Sequence, residues 1–110
     1  MVWSLHTLDL GQVELNQRRM VPNGEGLGVV RVPVQGWLLT EGDRKVVVDT
    51  GFRHPDMLRR LGDNAQGIEL PHQRLAQQLA LHSVKPEQVN FVLHTHLHID
   101  HAGQTDLFPM

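Results

Sequence analysis

Four histidines and one carboxylate fall within residues 94–101, in the run Leu93-His94-Thr95-His96-Leu97-His98-Ile99-Asp100-His101-Ala102-Gly103. A small domain has no structural use for that density, and it reads as a metal site. Neutral imidazole offers a lone pair near neutral pH, and its second nitrogen can be fixed by a neighbour. His96 and His98 are two apart, so on an extended stretch their rings leave the same face and can converge on one ion. Asp100 continues the alternation and His101 breaks it. A turn there would let Asp100 and His101 face a second ion roughly 3.5 to 4 Å from the first, the two-metal geometry that splits esters and phosphates. The small pair Ala102-Gly103 lets the backbone approach such a site closely. The bland alternative is a histidine-rich surface loop, or an adventitious nickel-type tract.

Composition narrows the chemistry. The chain has 110 residues, enough for one domain that buries about two thirds of its unfolded surface. Ten basic residues are spread along it and the formal charge is −2, which gives no electrostatic footprint for nucleic acid. The absence of cysteine excludes disulfides and thiolate ligands. Metals bound through nitrogen and oxygen remain, with zinc first and iron, manganese or cobalt behind it. The first residues lack a basic start and a continuous apolar run, and no apolar stretch approaches bilayer length, so no membrane segment is expected and the default location is the cytoplasm.

The elements that would position the loop follow from local pattern. Residues 3–8 suit a first strand, and 11–28, polar and punctuated by glycine, suit a long loop. Residues 29–34 and 36–40 read as extended runs with a break between them, where Pro33 argues for an edge or a junction. A turn at 41–44 leads into 45–49, whose consecutive valines suit a strand buried on both faces, completing a hairpin. Pro55 opens a helix that Gly62 stops, and 62–69 is expected to loop. Leu75 and Leu79, with Ala76 and Ala80, recur at helical spacing and predict an amphipathic helix over 71–82. A turn at 85–88 then precedes a strand over 89–93 that delivers the histidine loop. Strand, helix, strand order implies an α/β layered unit. The sequence contains no internal repeat and no low-complexity segment.

The His-x-His-x-Asp-His pattern, together with Val32-Pro33-Val34, Gly36-Trp37-Leu38-Leu39, Val46-Val47-Val48-Asp49-Thr50-Gly51 and Val92-Leu93-His94-Thr95-His96 in that order, resembles the metallo-beta-lactamase fold, and in particular its N-acyl homoserine lactonase group. The resemblance implies the N-terminal half of a four-layer αββα sandwich, with residues 1–110 forming part of one domain whose C-terminal half is absent. It assigns His96 and His98 to a first metal and Asp100 and His101 to a second. It places Asp49 beneath the metal loop as an acceptor that orients ligands; an ordinary turn aspartate is the alternative reading, and both can hold. It implies a hydrolase that opens a lactone or related ester ring with hydroxide held by two divalent ions, with Asp100 moving a proton to the leaving oxygen.

Rival readings are a thioester hydrolase of the glyoxalase II type and a non-catalytic metal-binding fragment that needs a partner half. Two copies could supply that half as a homodimer. The resemblance covers only about half of the family's fold. The family's third histidine for the first metal, its bridging aspartate and its final histidine have no counterparts here, and the chain contains no tyrosine to match the one that polarises the carbonyl in lactonases. His94 shares the alternation of His96 and His98 but falls outside the family's ligand set, so it is expected to end the strand and bond locally. His6, His54, His72 and His82 are expected at the surface or at helix ends, Trp3, Trp37 and Phe91 in the core, and Met20 either exposed or lining an acyl pocket.

Overall fold

The computed structural model describes residues 2–16, 28–61, 65–97 and 100–108. Five strands form one mixed sheet: β1 (Ser4–Asn16), β2 (Val29–Glu41), β3 (Arg44–Val48), β4 (Gln66–Ile68) and β5 (Phe91–Leu93), in the spatial order β4-β1-β2-β3-β5. Each neighbouring pair is antiparallel except β3 and β5, which run parallel. A parallel pair needs a crossover, and the crossover here contains the helix α1 (Leu75–Ala80). The α/β unit expected from element order is therefore present, and it ends with β5 delivering the histidine loop next to the end of β3.

The hairpin of β2 and β3 turns at Gly42, whose φ of 55° suits a residue without a Cβ. Pro33 lies opposite Gln12, beside the register shift between Asp9 and Gln12. Among the described residues β3 pairs only with residues 37–41 of β2, so Pro33 has a strand neighbour on one side alone, a position that tolerates a residue without an N–H.

Several sequence expectations are corrected. Residues 29–41 form one strand without the break expected before Gly36. The first strand continues through Gly11 to Asn16, because residues 12–16 find partners in β2 and 12–14 also in β4. The rest of the expected 11–28 loop, Met20 included, lies outside the described residues. Segment 62–69 supplies β4 at Gln66–Ile68. The helix expected from Pro55 is a 3-10 helix, Pro55–Leu61. The long helix expected over 71–82 is divided into a 3-10 turn, Pro71–Gln73, and α1. Arg74 between them is extended at ψ 142°, while buried Gln73 accepts the Leu70 N–H at 2.8 Å and donates to Asp9 Oδ1 at 3.1 Å. Those side-chain bonds compete with continued helix. Gln78 is also buried, accepting the Asp9 N–H at 3.0 Å, whereas Ala80 is exposed.

The core lies on one face of the sheet. Leu8 and Leu10 of β1, Val34 and Leu38 of β2 and Val47 of β3 pack with Leu75 and Leu79 of α1, and with Phe52, Leu58 and Val84. Each fully buried leucine contributes about 1.5–3 kcal/mol relative to exposure. The other face carries two apolar rows in register, Leu5-Leu39-Val46-Phe91 and Trp37-Val48-Leu93. No element among the described residues covers it, and Leu5 and Phe91 are 63% and 66% exposed. Trp3 and Phe91 are therefore exposed rather than core residues, Trp37 is half-buried, and β3 is fully buried only at Val47. Among the described residues no helix is long and apolar enough to cross a membrane.

Candidate metal centre

Asp49, directly after β3, is left-handed at φ 64°, and Gly51 follows at φ 76°. A left-handed non-glycine residue costs of order 1–3 kcal/mol and persists only where its surroundings fix it. Here three hydrogen bonds do so. The Asp49 N–H donates to Leu93 O at 2.8 Å, the Thr50 N–H to His101 O at 2.6 Å, and the Gly103 N–H to Gly51 O at 2.8 Å. The turn at 49–51 is thus clasped by both ends of the histidine loop. Thr50, fully buried, accepts the Gln104 N–H at 3.0 Å and donates its hydroxyl to His101 O at 3.3 Å.

The turn sends the Asp49 carboxylate, 1% exposed, up into the loop. Oδ1 accepts the Thr95 N–H at 2.8 Å, and Oδ2 accepts the Thr95 hydroxyl at 2.7 Å. Oδ2 also lies 3.1 Å from His101 Nδ1. Burial, the largest influence, pushes this carboxyl's pKa up, but the Thr95 and His101 hydrogen bonds together outweigh it and hold the group below the usual carboxylate range. An ionised Asp49 accepts only, so His101 Nδ1 donates to it, and in the neutral ring Nε2 carries the lone pair. The Thr95 hydroxyl has spent its proton on Asp49, so its oxygen accepts from His96 Nδ1 at 2.9 Å. His96 Nε2 is then also the lone-pair nitrogen. One buried carboxylate sets the tautomer of both rings, directly for His101 and through Thr95 for His96.

Ligand atoms of His96, Asp100 and His101 all lie within 4.8 Å of one another. The His96 and His101 rings are 4.1 Å apart, and Asp100 Oδ2 is 3.3 Å from His101 Nε2. In the neutral ring protonated at Nδ1, that nitrogen and that oxygen are two acceptors facing each other, an arrangement that a metal cation between them satisfies. Two imidazoles and a carboxylate are donors suited to zinc, iron, manganese or cobalt. This convergence is a partial donor set that fits a divalent ion.

Of the residues singled out in sequence, His96, Asp100 and His101 come together with Asp49 beneath them, and His98 lies outside the described residues. Strand β5 ends at Leu93, and residues 94–97 that follow are irregular rather than the extended stretch expected to alternate the ligands. His94 stands apart from the cluster and bonds to Thr105. His54 and His72 are exposed, and His6 and His82 stack on each other at 4.6 Å. Sequence reasoning missed Thr95, whose only signal was a hydroxyl adjacent to a histidine. Gly103 has a clear spatial reason: a Cβ there would overlap the backbone of Phe52 and Arg53. Gly103→Ala is expected to destabilise the fold by about 1–3 kcal/mol through overpacking, read as a lowered denaturation midpoint; an unchanged midpoint would refute the close approach.

Comparison with known proteins places this geometry. The Metallo-beta-lactamase superfamily signature matches residues 29–109. Among curated relatives, N-acyl homoserine lactonase AiiB of Agrobacterium fabrum is 27% identical, over 94% of this chain and 43% of its own length. The AiiB of Rhizobium rhizogenes is 25% identical over the same shares. Among solved structures, an N-acyl homoserine lactone hydrolase with N-hexanoyl-L-homoserine, its product, at the catalytic metal centre superposes with a TM-score of 0.79 at 21% identity, over 94% of this chain and 44% of that one. A variant of AiiA from B. thuringiensis with N-decanoyl-L-homoserine bound at its active site gives the same score and shares. The chain spans less than half the length of these relatives. On the match over residues 29–109, and with the fold in agreement, this chain belongs to the metallo-beta-lactamase superfamily.

Proposed function

We propose that this chain is the N-terminal part of a metal-dependent hydrolase domain that opens lactone rings of the N-acyl homoserine lactone kind. The observation that carries the reading is the convergence of His96, Asp100 and His101 above a buried Asp49 that fixes both imidazoles for coordination. His98 completes the proposed ligand set. The fold implies a divalent metal, with zinc the first candidate from the donor types. When bound, such a metal supplies Lewis acidity towards a carbonyl oxygen and makes hydroxide available near neutral pH.

The chain's own residues do the rest. Asp49 holds the protons on His96 and His101 at Nδ1, so both rings present Nε2 to the site. Asp100, beside His101, would take up at a carboxylate oxygen the proton that the added hydroxyl gives up as the carboxylate forms, and pass it to the ring oxygen that leaves as the ring opens. The apolar rows on the outer face of the sheet match the surface on which the remaining half of such a domain would pack, since two apolar sheet faces pair about 10 Å apart. The lactone preference draws on the relatives named above; a thioester is the second substrate class, because the same carbonyl chemistry serves both.

The test compares the chain alone with the chain joined to the C-terminal half of the A. fabrum relative. Chelator-sensitive hydrolysis of N-hexanoyl-homoserine lactone by the joined protein is the expected result. Hydrolysis of thioesters alone would move the assignment to the second class, and a joined protein that folds and binds metal but turns over neither would overturn the reading.

A further inference from the structure

We propose that His94 is a positioning residue, a strut that closes the base of the metal loop through Thr105; the proposal rests on the metal reading of that loop given above. Its imidazole Nε2 lies 3.0 Å from Thr105 Oγ1, and the two residues are eleven apart in sequence. The Thr105 hydroxyl donates its single proton to Ala102 O at 3.0 Å. Its oxygen must therefore accept from His94, which fixes the proton of that ring on Nε2. His94 Nδ1 then carries a lone pair, and it is buried without a partner among the described residues. An unpaired buried acceptor is destabilising, so the ring is not seated for the sake of its own satisfaction. What it gains is the link to Thr105.

That link joins two fixed points. Leu93, immediately before His94, is tied to Asp49 N, while Ala102 lies between His101 and Gly103, each bonded to the 49–51 turn. Between these anchors the chain must present His96, Asp100 and His101 within 4.8 Å of one another. Tying the loop across its base restricts the separation of its ends, and with it the spacing of the ligands. Asp49 orients the rings from below; the strut holds the span of the loop that carries them. His94 is outside the cluster, so its effect on metal is exerted through Thr105.

The experiment measures zinc affinity of the full chain by competition with a chromophoric chelator, beside thermal unfolding. His94→Leu and Thr105→Val are each expected to weaken zinc binding about tenfold, in the range of lost outer hydrogen-bond partners. The double variant should be no weaker than either single one, because both remove the same link. His94→Gln, which can place an N–H where Nε2 stands, should restore wild-type affinity. Wild-type affinity in Thr105→Val overturns the proposal. So does a His94→Gln variant as weak as His94→Leu beside an unaffected Thr105→Val, which would make the imidazole itself a ligand. Should the variants fail to fold, the imidazole nitrogen resonances of the wild-type chain still decide: protonation of His94 at Nε2 supports the strut, and protonation at Nδ1 alone overturns it. A wild-type chain without zinc affinity overturns the metal reading together with the strut, and is distinguished by failing before any variant is compared.

Discussion

Asp49→Ala is expected to lower metal affinity by about 10 to 100-fold, the usual effect of removing a group that orients metal ligands. The size follows from how much converges on one carboxylate: the Thr95 amide, the Thr95 hydroxyl and His101 Nδ1. Without it, His101 is no longer held with its proton on Nδ1, and the Thr95 hydroxyl is free to give its proton to His96, which reverses that ring's tautomer. Titration of metal against a competing chelator measures the loss directly, and unaltered affinity would reduce Asp49 to a turn residue. Acid gives a second readout on the metal-free chain. Because the folded carboxyl sits below its ordinary range, its stabilisation is present above about pH 4 and is lost as pH falls through the folded pKa. Asp49→Asn should therefore flatten the acid side of the stability profile, and an unchanged profile would contradict the inferred ionisation.

The largest effect is expected in catalysis. Three donors from the described loop, with His98 as a fourth, are too few to hold two ions at a spacing that shares one nucleophile, and an error of about 1 Å in position costs on the order of 100-fold in rate. The 110-residue chain by itself should bind metal through these residues, more weakly than a complete domain, and hydrolyse lactones at a rate at least about 100-fold below it. His96→Ala combined with His98→Ala should remove the metal from the isolated chain. Equal metal content in that variant and the wild type, by elemental analysis after gel filtration, would take the site away from this loop. Chelator-sensitive lactone hydrolysis by the monomeric chain at the rate of a complete domain would show that the missing donors are supplied from within these residues.

What could be read from the sequence was local. The hairpin of β2 and β3 follows from a valine run and a glycine turn, and an α/β unit follows from strand, helix, strand order, while the parallel pairing of β5 with β3 appears only in the fold. The loop histidines announce themselves because ligands of one ion can be crowded into a short covalent span. Gly103 could be read as a place of close approach because only a missing Cβ permits one. The tertiary structure decided matters that depend on partners distant in the chain. Residues 12–16 look like a polar loop until β2 and β4 supply the ladder that makes them a strand, and Gln66–Ile68 becomes a strand only because β1 lies beside it. The helical period of 71–82 is overruled at Arg74 because Gln73 bonds to Asp9, 64 residues away. Trp3 and Phe91 look like core residues by type, but burial depends on which face of the sheet α1 covers. The tautomers of His96 and His101 are the clearest case, since they are set by Asp49, which is 46 residues from Thr95 and 52 from His101. Ligand identity is a property of side-chain type and can be read along the chain, whereas ligand orientation is a property of hydrogen bonds that exist only once β3 and β5 lie side by side.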